Sequence, residues 1–265
     1  MTITLNSYAK LNLDLNVIGK HDFKPLHIIS STMVRIDIFA TLIIDIHASS
    51  GFCSSLNVEG YEHQEWFDPI KKLIGLWSYE RQCPVDIKIT IENPIRPFSG
   101  LGGMSSYVAT VFNALEYFYC TQHKKENPEY LSVYKENDIG LRCGSDVPFF
   151  LSKCNKAHVQ GVGEIITPLE PERKNVLIHF PDYTVSTEKA YADLDKLKSN
   201  NFLDLKENKA YYEYLSNKTG KNNWKLSGSG STFFLYDVDK NTIKEANNEW
   251  TKKNIYCTLS STLDN

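Results

Sequence analysis

The chain has 265 residues, a formal net charge of −3 and 42% hydrophobic residues. That length suits one large or two modest domains with a sizeable core, and the charge balance offers no nucleic-acid surface. No basic start leads into an apolar stretch and no run approaches ~18 apolar residues, so neither a signal peptide nor a membrane span is expected, and the cytoplasm is the expected setting.

Six cysteines, Cys53, Cys83, Cys120, Cys143, Cys154 and Cys257, are scattered without CxxC pairing. They read as reduced thiols, with no zinc site and no disulfide framework. Lys-rich stretches at 124–127 and 206–209 alternate with Glu and Asn and read as solvated faces.

The N-terminus alternates apolar and polar residues, at Ile3 and Leu5 and, after a polar break, at Leu11, Leu13, Leu15 and Val17, which predicts strands, with Asn6 to Asn12 lying between or across them. Lys10 interrupts that alternation, either as an exposed strand lysine or as a functional one. Residues 19–25 read as a turn, His27–Met33 as the stretch after it, and Val34–Ile38 and Thr41–His47 as two strands. Glu65–Trp77 is an amphipathic helix with Ile70, Leu73, Ile74 and Trp77 on one side, and Asp68-Pro69 marks its start.

Val85–Ile91 is a two-periodic strand, and Ser105–Tyr119 a helix with Val108, Val111, Phe112, Leu115 and Phe118 at 3.6-residue spacing. Between them lies Pro97-Phe98-Ser99-Gly100-Leu101-Gly102-Gly103-Met104-Ser105-Ser106. A Gly-rich turn opening a helix presents unpaired N–H groups at a positive dipole end, which suits phosphate. The stretch lacks the Lys of a Walker A motif and the last glycine of a Rossmann fingerprint. Taken alone, it is equally a tight strand-to-helix turn with Ser105 near the N-cap.

Tyr130–Ile139 reads as a short helix. Asp146, in Cys143-Gly144-Ser145-Asp146-Val147-Pro148-Phe149-Phe150-Leu151, abuts an apolar run and is either a cap or turn residue or a carboxylate held for chemistry. Beyond about residue 152 the topology restarts, with strands at 157–167 and 175–180, helices at 186–197 and 206–215, and a Gly/Ser loop at Leu226–Ser231. A strand at 232–236, a helix at 241–252 and a last strand at 255–259 complete an α+β second domain.

Several segments together resemble the GHMP kinase superfamily. Gly100–Ser106 resembles its second motif and Leu226-Ser227-Gly228-Ser229-Gly230-Ser231 its third. Tyr8–Gly19 with His27–Met33, Gly144–Leu151 and Gly161–Leu169 resemble the branch that phosphorylates a cytidyl-linked sugar alcohol phosphate in isoprenoid precursor biosynthesis. The resemblance covers nearly the whole chain and implies an α+β, two-domain fold. Residues 1–151 would resemble the second domain of ribosomal protein S5, residues 152–265 would be ferredoxin-like, and the active site would lie in the cleft between them.

The same resemblance implies Asp146 as the catalytic base, Lys10 as the lysine paired with it, and Asn12 beside them. It implies His27, Tyr191, Thr187, Gly228 and Ser229 as substrate contacts. Phe98, Ser99, Gly100, Leu101, Gly102, Gly103, Met104, Ser105 and Ser106 would hold ATP, with Mg²⁺ at Ser105 or Ser106 and no side-chain metal cluster. The partner is a small molecule, with no nucleic acid or membrane, and the protein a monomer or weak homodimer.

The chain departs from the pattern at Leu26, where the branch has a stacking Tyr, at Arg96 and Met104, and in the helix around Glu65–Ile74. A base stack is worth roughly 1–3 kcal/mol, so Leu26 implies weaker hold on cytosine. Other GHMP alcohol kinases, acting on homoserine or mevalonate, and a nucleotide-binding relative without catalysis are the alternatives.

Overall fold

A computed structural model describes residues 1–22, 26–51, 54–60, 64–123 and 133–264, with the backbone alone for 133–137. In chain order the elements are β1 (Thr2–Asn12), β2 (Asn16–Lys20), β3 (His27–Ala48), β4 (Ser55–Val58), α1 (Asp68–Arg81), β5 (Val85–Glu92), α2 (Gly103–Gln122), α3 (Val133–Cys143), α4 (Val147–Leu151), β6 (Lys156–Gly161), β7 (Ile165–Pro168), β8 (Asn175–His179), α5 (Thr187–Leu197), α6 (Lys206–Thr219), β9 (Lys225–Leu226), β10 (Phe233–Tyr236), α7 (Lys240–Glu245) and β11 (Cys257–Ser261). No helix among the described residues is long and apolar enough to cross a membrane.

The chain forms two compact units. One comprises Met1–Tyr8, Phe39–Ile95 and Gly103–Lys153; the other comprises Ala9–Ile38, Arg96–Gly102 and Cys154–Asn265. β1 and β3 are long enough to belong to both.

In the first unit, Thr41–Ala48 of β3 pairs antiparallel with β5, and β5 pairs in parallel with β4. Every second residue of these strands is buried, including Leu42, Ile44, Ile46, Ile87 and Ile89. The helices bury the stripes their spacing predicts: Ile70, Leu73, Ile74 and Trp77 on α1, and Val108, Val111, Phe112, Leu115 and Phe118 on α2. Glu116 of α2 is buried too. It accepts from Trp77 Nε1 at 2.6 Å and pairs with the Arg81 guanidinium, so its charge is compensated.

In the second unit, β3 residues 29–34 pair antiparallel with β6, and β6 turns back into β7. Glu164 makes that turn, accepting the Val162 N–H at 2.6 Å. The other sheet has the order β11-β8-β10-β9, all antiparallel. Numbered within this half, that is 4-1-3-2 in a strand, two helices, strand, strand, helix, strand sequence, the ferredoxin-like arrangement with one helix more in its first crossover. Its core is Leu177, Leu215, Trp224, Phe233, Leu235, Trp250 and Ile255.

Several expectations change. β3 is one strand rather than two, because Phe39 and Ala40 keep the in-out alternation, 37% exposed and 0%, with no turn residue between them. Of the two placements open to Asn6–Asn12, between strands or across them, the structure has the second: β1 runs through to Asn12, since Ser7, Lys10 and Asn12 are buried with partners of their own. The break comes instead after Asn12, where Asp14 takes the Thr32 N–H at 2.8 Å and the Ser31 hydroxyl. Residues 157–167 are a hairpin of the first sheet, not a strand of the second.

α2 starts at Gly103, two residues before the expected start, so Ser105 lies inside its first turn. α3 continues past Ile139 through Gly140, where an added Cβ would meet Leu151 of α4 at 2.9 Å; the expected helix start at residues 130–132 lies outside the described residues. Residues 241–252 begin as α7 and pass into a π-helical and then a 3₁₀ turn.

Candidate active site

The second unit gathers three of the sequence segments. Lys10 sits near the end of β1 and is only 3% exposed. A buried ammonium is tolerated only where acceptors replace water. Here Lys10 Nζ donates to Asn12 Oδ1 and, at 3.1 Å, to the Gly100 carbonyl, while its backbone N–H donates to the Leu101 carbonyl at 2.9 Å. Asn12 is fixed in turn: its Nδ2 donates to Ser31 Oγ at 2.8 Å, and its backbone N–H reaches Ser227 Oγ at 3.3 Å.

The Gly/Ser loop closes on the same point. Ser227 Oγ donates to the Gly100 carbonyl at 3.0 Å, and the Thr232 N–H donates to the Ser99 carbonyl at 3.2 Å. Gly100 has φ +77, and a Cβ there would lie 2.2 Å from the Ser227 carbonyl oxygen. Only glycine allows that approach. Gly228 lies over the pair, its Cβ direction 3.3 Å from Asn12 Oδ1 and 3.6 Å from Lys10 Nζ. Ser99 is buried with its hydroxyl on the Arg96 carbonyl, Leu101 is buried, and Phe98 is 56% exposed at φ 54.

The remaining predicted residues of this unit form a ring cluster. His27 and Tyr191 stack at 4.5 Å between centroids and 29° between planes, and Phe202 meets Tyr191 edge-on at 4.9 Å. His27 Nε2 lies 2.9 Å from Asp195 Oδ1, and Lys20 Nζ 2.8 Å from the other oxygen. Lys20 first and His27 second hold the Asp195 carboxyl below its ordinary range. Ser229 Oγ donates to Thr187 Oγ1 at 3.4 Å. Leu26 is half-buried, its carbonyl taking the His21 N–H at 2.8 Å.

The first unit holds the rest. Gly103–Ser106 make the first turn of α2, whose leading N–H groups have no intrahelical acceptor. Ser106 is buried, its hydroxyl bonded to Ser7 Oγ and donating to the Tyr8 carbonyl at 2.7 Å. Ser105 Oγ lies beside Gly144, 3.3 Å from where a Cβ would sit. Met104 is half-buried. Asp146 stands at the N-cap position of α4, but its side chain makes no cap hydrogen bond. Among the described residues no three His, Cys, Asp or Glu side chains cluster to hold a metal.

Ser31, Ser227 and Asp195 were not singled out in the sequence. Ser227 stands inside the Gly/Ser motif and Asp195 four residues after Tyr191, on the same face of α5, so both carried a signal. Ser31 carried none. A cavity of about 450 Å³ between α5 and α6, lined by Tyr183, Lys189, Asn208, Tyr211 and Tyr214 among others, contains none of the predicted residues. Next to it His179 is buried, with Nδ1 on the Tyr256 carbonyl at 2.8 Å and Nε2 taking the Tyr211 hydroxyl at 3.0 Å. Burial lowers its pKa.

Residues 70–153 match the GHMP kinases N terminal domain. The chain is 30% identical over 192 residues to a 4-diphosphocytidyl-2-C-methyl-D-erythritol kinase of Clostridium perfringens, covering 72% of this chain and 63% of that one. It is 30% identical over 252 residues to the Thermodesulfovibrio yellowstonii protein of that name, covering 92% and 78%. A crystal structure of a 4-(cytidine 5'-diphospho)-2C-methyl-D-erythritol kinase superposes with a TM-score of 0.71 at 20% identity, over 98% of this chain and 99% of the other. The chain spans a little under two thirds of the first curated relatives it matches, 61–63% of their length.

Proposed function

The chain belongs to the 4-diphosphocytidyl-2-C-methyl-D-erythritol kinase family of the GHMP kinases, and on that premise we propose that it is an ATP-dependent kinase. It transfers the terminal phosphoryl group of ATP to the 2-hydroxyl of 4-diphosphocytidyl-2-C-methyl-D-erythritol, a step toward isoprenoid precursors. The observation that carries this reading is the buried Lys10, held by Asn12 and Gly100 under the Gly/Ser loop. A lysine buried on polar partners in a Gly-walled recess is what a phosphoryl-transfer centre needs and what a structural strand lysine does not.

In this reading the orphan N–H groups at the start of α2 receive the ATP phosphates, and Gly100 and Gly102 let the backbone come close. Ser105, whose hydroxyl has no hydrogen bond among the described residues, is the serine that would serve, because the Ser106 hydroxyl is taken by Ser7 and Tyr8. The Ser105 hydroxyl would be the residue group offered to Mg²⁺, which would supply neutralisation of the phosphate charge while keeping much of its hydration. Asp146 accepts the proton of the substrate hydroxyl and Lys10 stabilises the charge that develops. His27 and Tyr191 bind the cytosine, with Leu26 as an apolar wall, and Thr187, Gly228 and Ser229 line the substrate side. The protein acts on a small molecule as a monomer or weak homodimer.

The test is ADP release with ATP and Mg²⁺, offering 4-diphosphocytidyl-2-C-methyl-D-erythritol, mevalonate, homoserine and galactose in turn. Turnover of the cytidyl compound alone, lost in Asp146→Asn, supports the reading. Turnover of another alcohol overturns the substrate, and turnover of none overturns the activity.

A further inference from the structure

His27 is bound more tightly than a residue that merely touches a base requires. Its Nε2 is 2.9 Å from Asp195, its face lies on Tyr191, and its side chain is 15% exposed. Asp195 comes from α5, one turn beyond Tyr191, so a single helix supplies both the ring that fixes the plane of the imidazole and the carboxylate that fixes its edge. Lys20, at the end of β2 and paired in register with His27, grips the second oxygen of Asp195 at 2.8 Å. The carboxylate is thereby anchored from one side and offered to the imidazole from the other.

We propose that Asp195 is a positioning residue that sets the tautomer of His27 and through it the choice of nucleobase; this rests on the cytidyl-kinase reading above. An ionised carboxylate can only accept. In the neutral imidazole the proton therefore sits on Nε2, and Nδ1 keeps its lone pair. Among the described residues no other hydrogen bond engages the ring, so Nδ1 is the atom left to read a ligand. A pyrimidine with an amino group at C4 donates to such an acceptor. A pyrimidine with a carbonyl at C4 sets lone pair against lone pair. The arrangement thus selects cytosine over uracil by the hydrogen bond the wrong base leaves unmade, a stronger discriminator than shape. With Leu26 supplying no second aromatic face, this edge contact bears more of the selectivity than it would inside a full stack.

Two measurements on the 265-residue chain test the proposal. In the first, KM and kcat are determined with cytidyl and uridyl forms of the substrate for wild type, Asp195→Ala and Asp195→Glu. Asp195→Ala is expected to raise KM for the cytidyl form about tenfold, with kcat and the KM for ATP within about twofold, and to narrow the cytidyl preference. Asp195→Glu is expected to restore part of both. In the second, long-range ¹H–¹⁵N spectra at neutral pH, assigned with His27→Gln, report the tautomer. Wild-type His27 should carry its proton on Nε2, and Asp195→Ala should give a mixture.

A wild-type proton on Nδ1, or an Asp195→Ala variant with unchanged tautomer and unchanged base preference, overturns the proposal. If no cytidyl compound turns over at all, the kinase reading falls and the specificity role of Asp195 with it. The spectrum still decides whether Asp195 holds His27.

Discussion

Replacing Gly100 with alanine perturbs the point where three distant segments meet. Gly100 has φ +77, so any L-residue there pays about 1 kcal/mol of backbone strain. The larger effect is contact: the new Cβ would stand 2.2 Å from the Ser227 carbonyl oxygen and 2.9 Å from that of Gly230. Both are backbone atoms and neither can swing aside, so the two loops must separate by roughly 1 Å. That movement loosens the bonds that meet here, from Lys10 Nζ and Ser227 Oγ to the Gly100 carbonyl and from the Thr232 N–H to Ser99. At about 1 kcal/mol for each neutral bond and somewhat more for the charged one, the total is about 3–5 kcal/mol. Gly220→Ala is the control, because Gly220 has φ +72 with nothing within 4 Å of its Cβ direction, and so isolates the strain. In a chain of this size about 1 kcal/mol moves the melting temperature by roughly 2–4 °C. Thermal melts followed by circular dichroism should therefore show Gly220→Ala down by about 3 °C and Gly100→Ala by about 10 °C. Equal shifts for the two variants would refute the close approach of the loops.

Asp146→Asn should lower turnover by about 10²–10⁴-fold in the ADP-release assay. Glu116→Ala leaves the Arg81 guanidinium and the Trp77 N–H facing a buried void, and should cost about 3–5 kcal/mol in urea unfolding. Stability should also fall as the medium is acidified through the ordinary histidine range. Burial depresses the pKa of folded His179, so below about pH 6.5 the unfolded chain takes up a proton that the folded chain refuses. This contribution is intact above that pH, shrinks from there down to the folded pKa, and should be reduced in His179→Gln when urea midpoints are compared at several pH values.

Helices and their buried faces were legible because a 3.6-residue spacing survives any tertiary setting. Ile70, Leu73, Ile74 and Trp77 are buried as their spacing requires. Strand limits were less so. In β1 the polar run Asn6–Asn12 imitates a loop, and only long-range partners, Ser106 for Ser7 and Gly100 for Lys10, show why those polar groups can be buried in a strand. A two-periodic code cannot represent a partner ninety residues away.

The Gly-rich segment shows the limit more sharply. Along the chain it is one uninterrupted motif, and its glycines look interchangeable. In the folded chain the change of unit falls within it, between Gly102 and Gly103. Gly100 is required by the Ser227 and Gly230 carbonyls, whereas Gly103 begins a helix and is crowded by Ile95, at 3.1 Å from its Cβ direction. The two serines divide in the same way: Ser106 is spent on Ser7 and Tyr8, and Ser105 lies along Gly144. Substituting the glycines one by one should therefore give unequal losses, largest where backbone oxygens crowd the Cβ and smaller where a side chain such as Ile95 can shift. A motif defined by composition alone would predict equal ones.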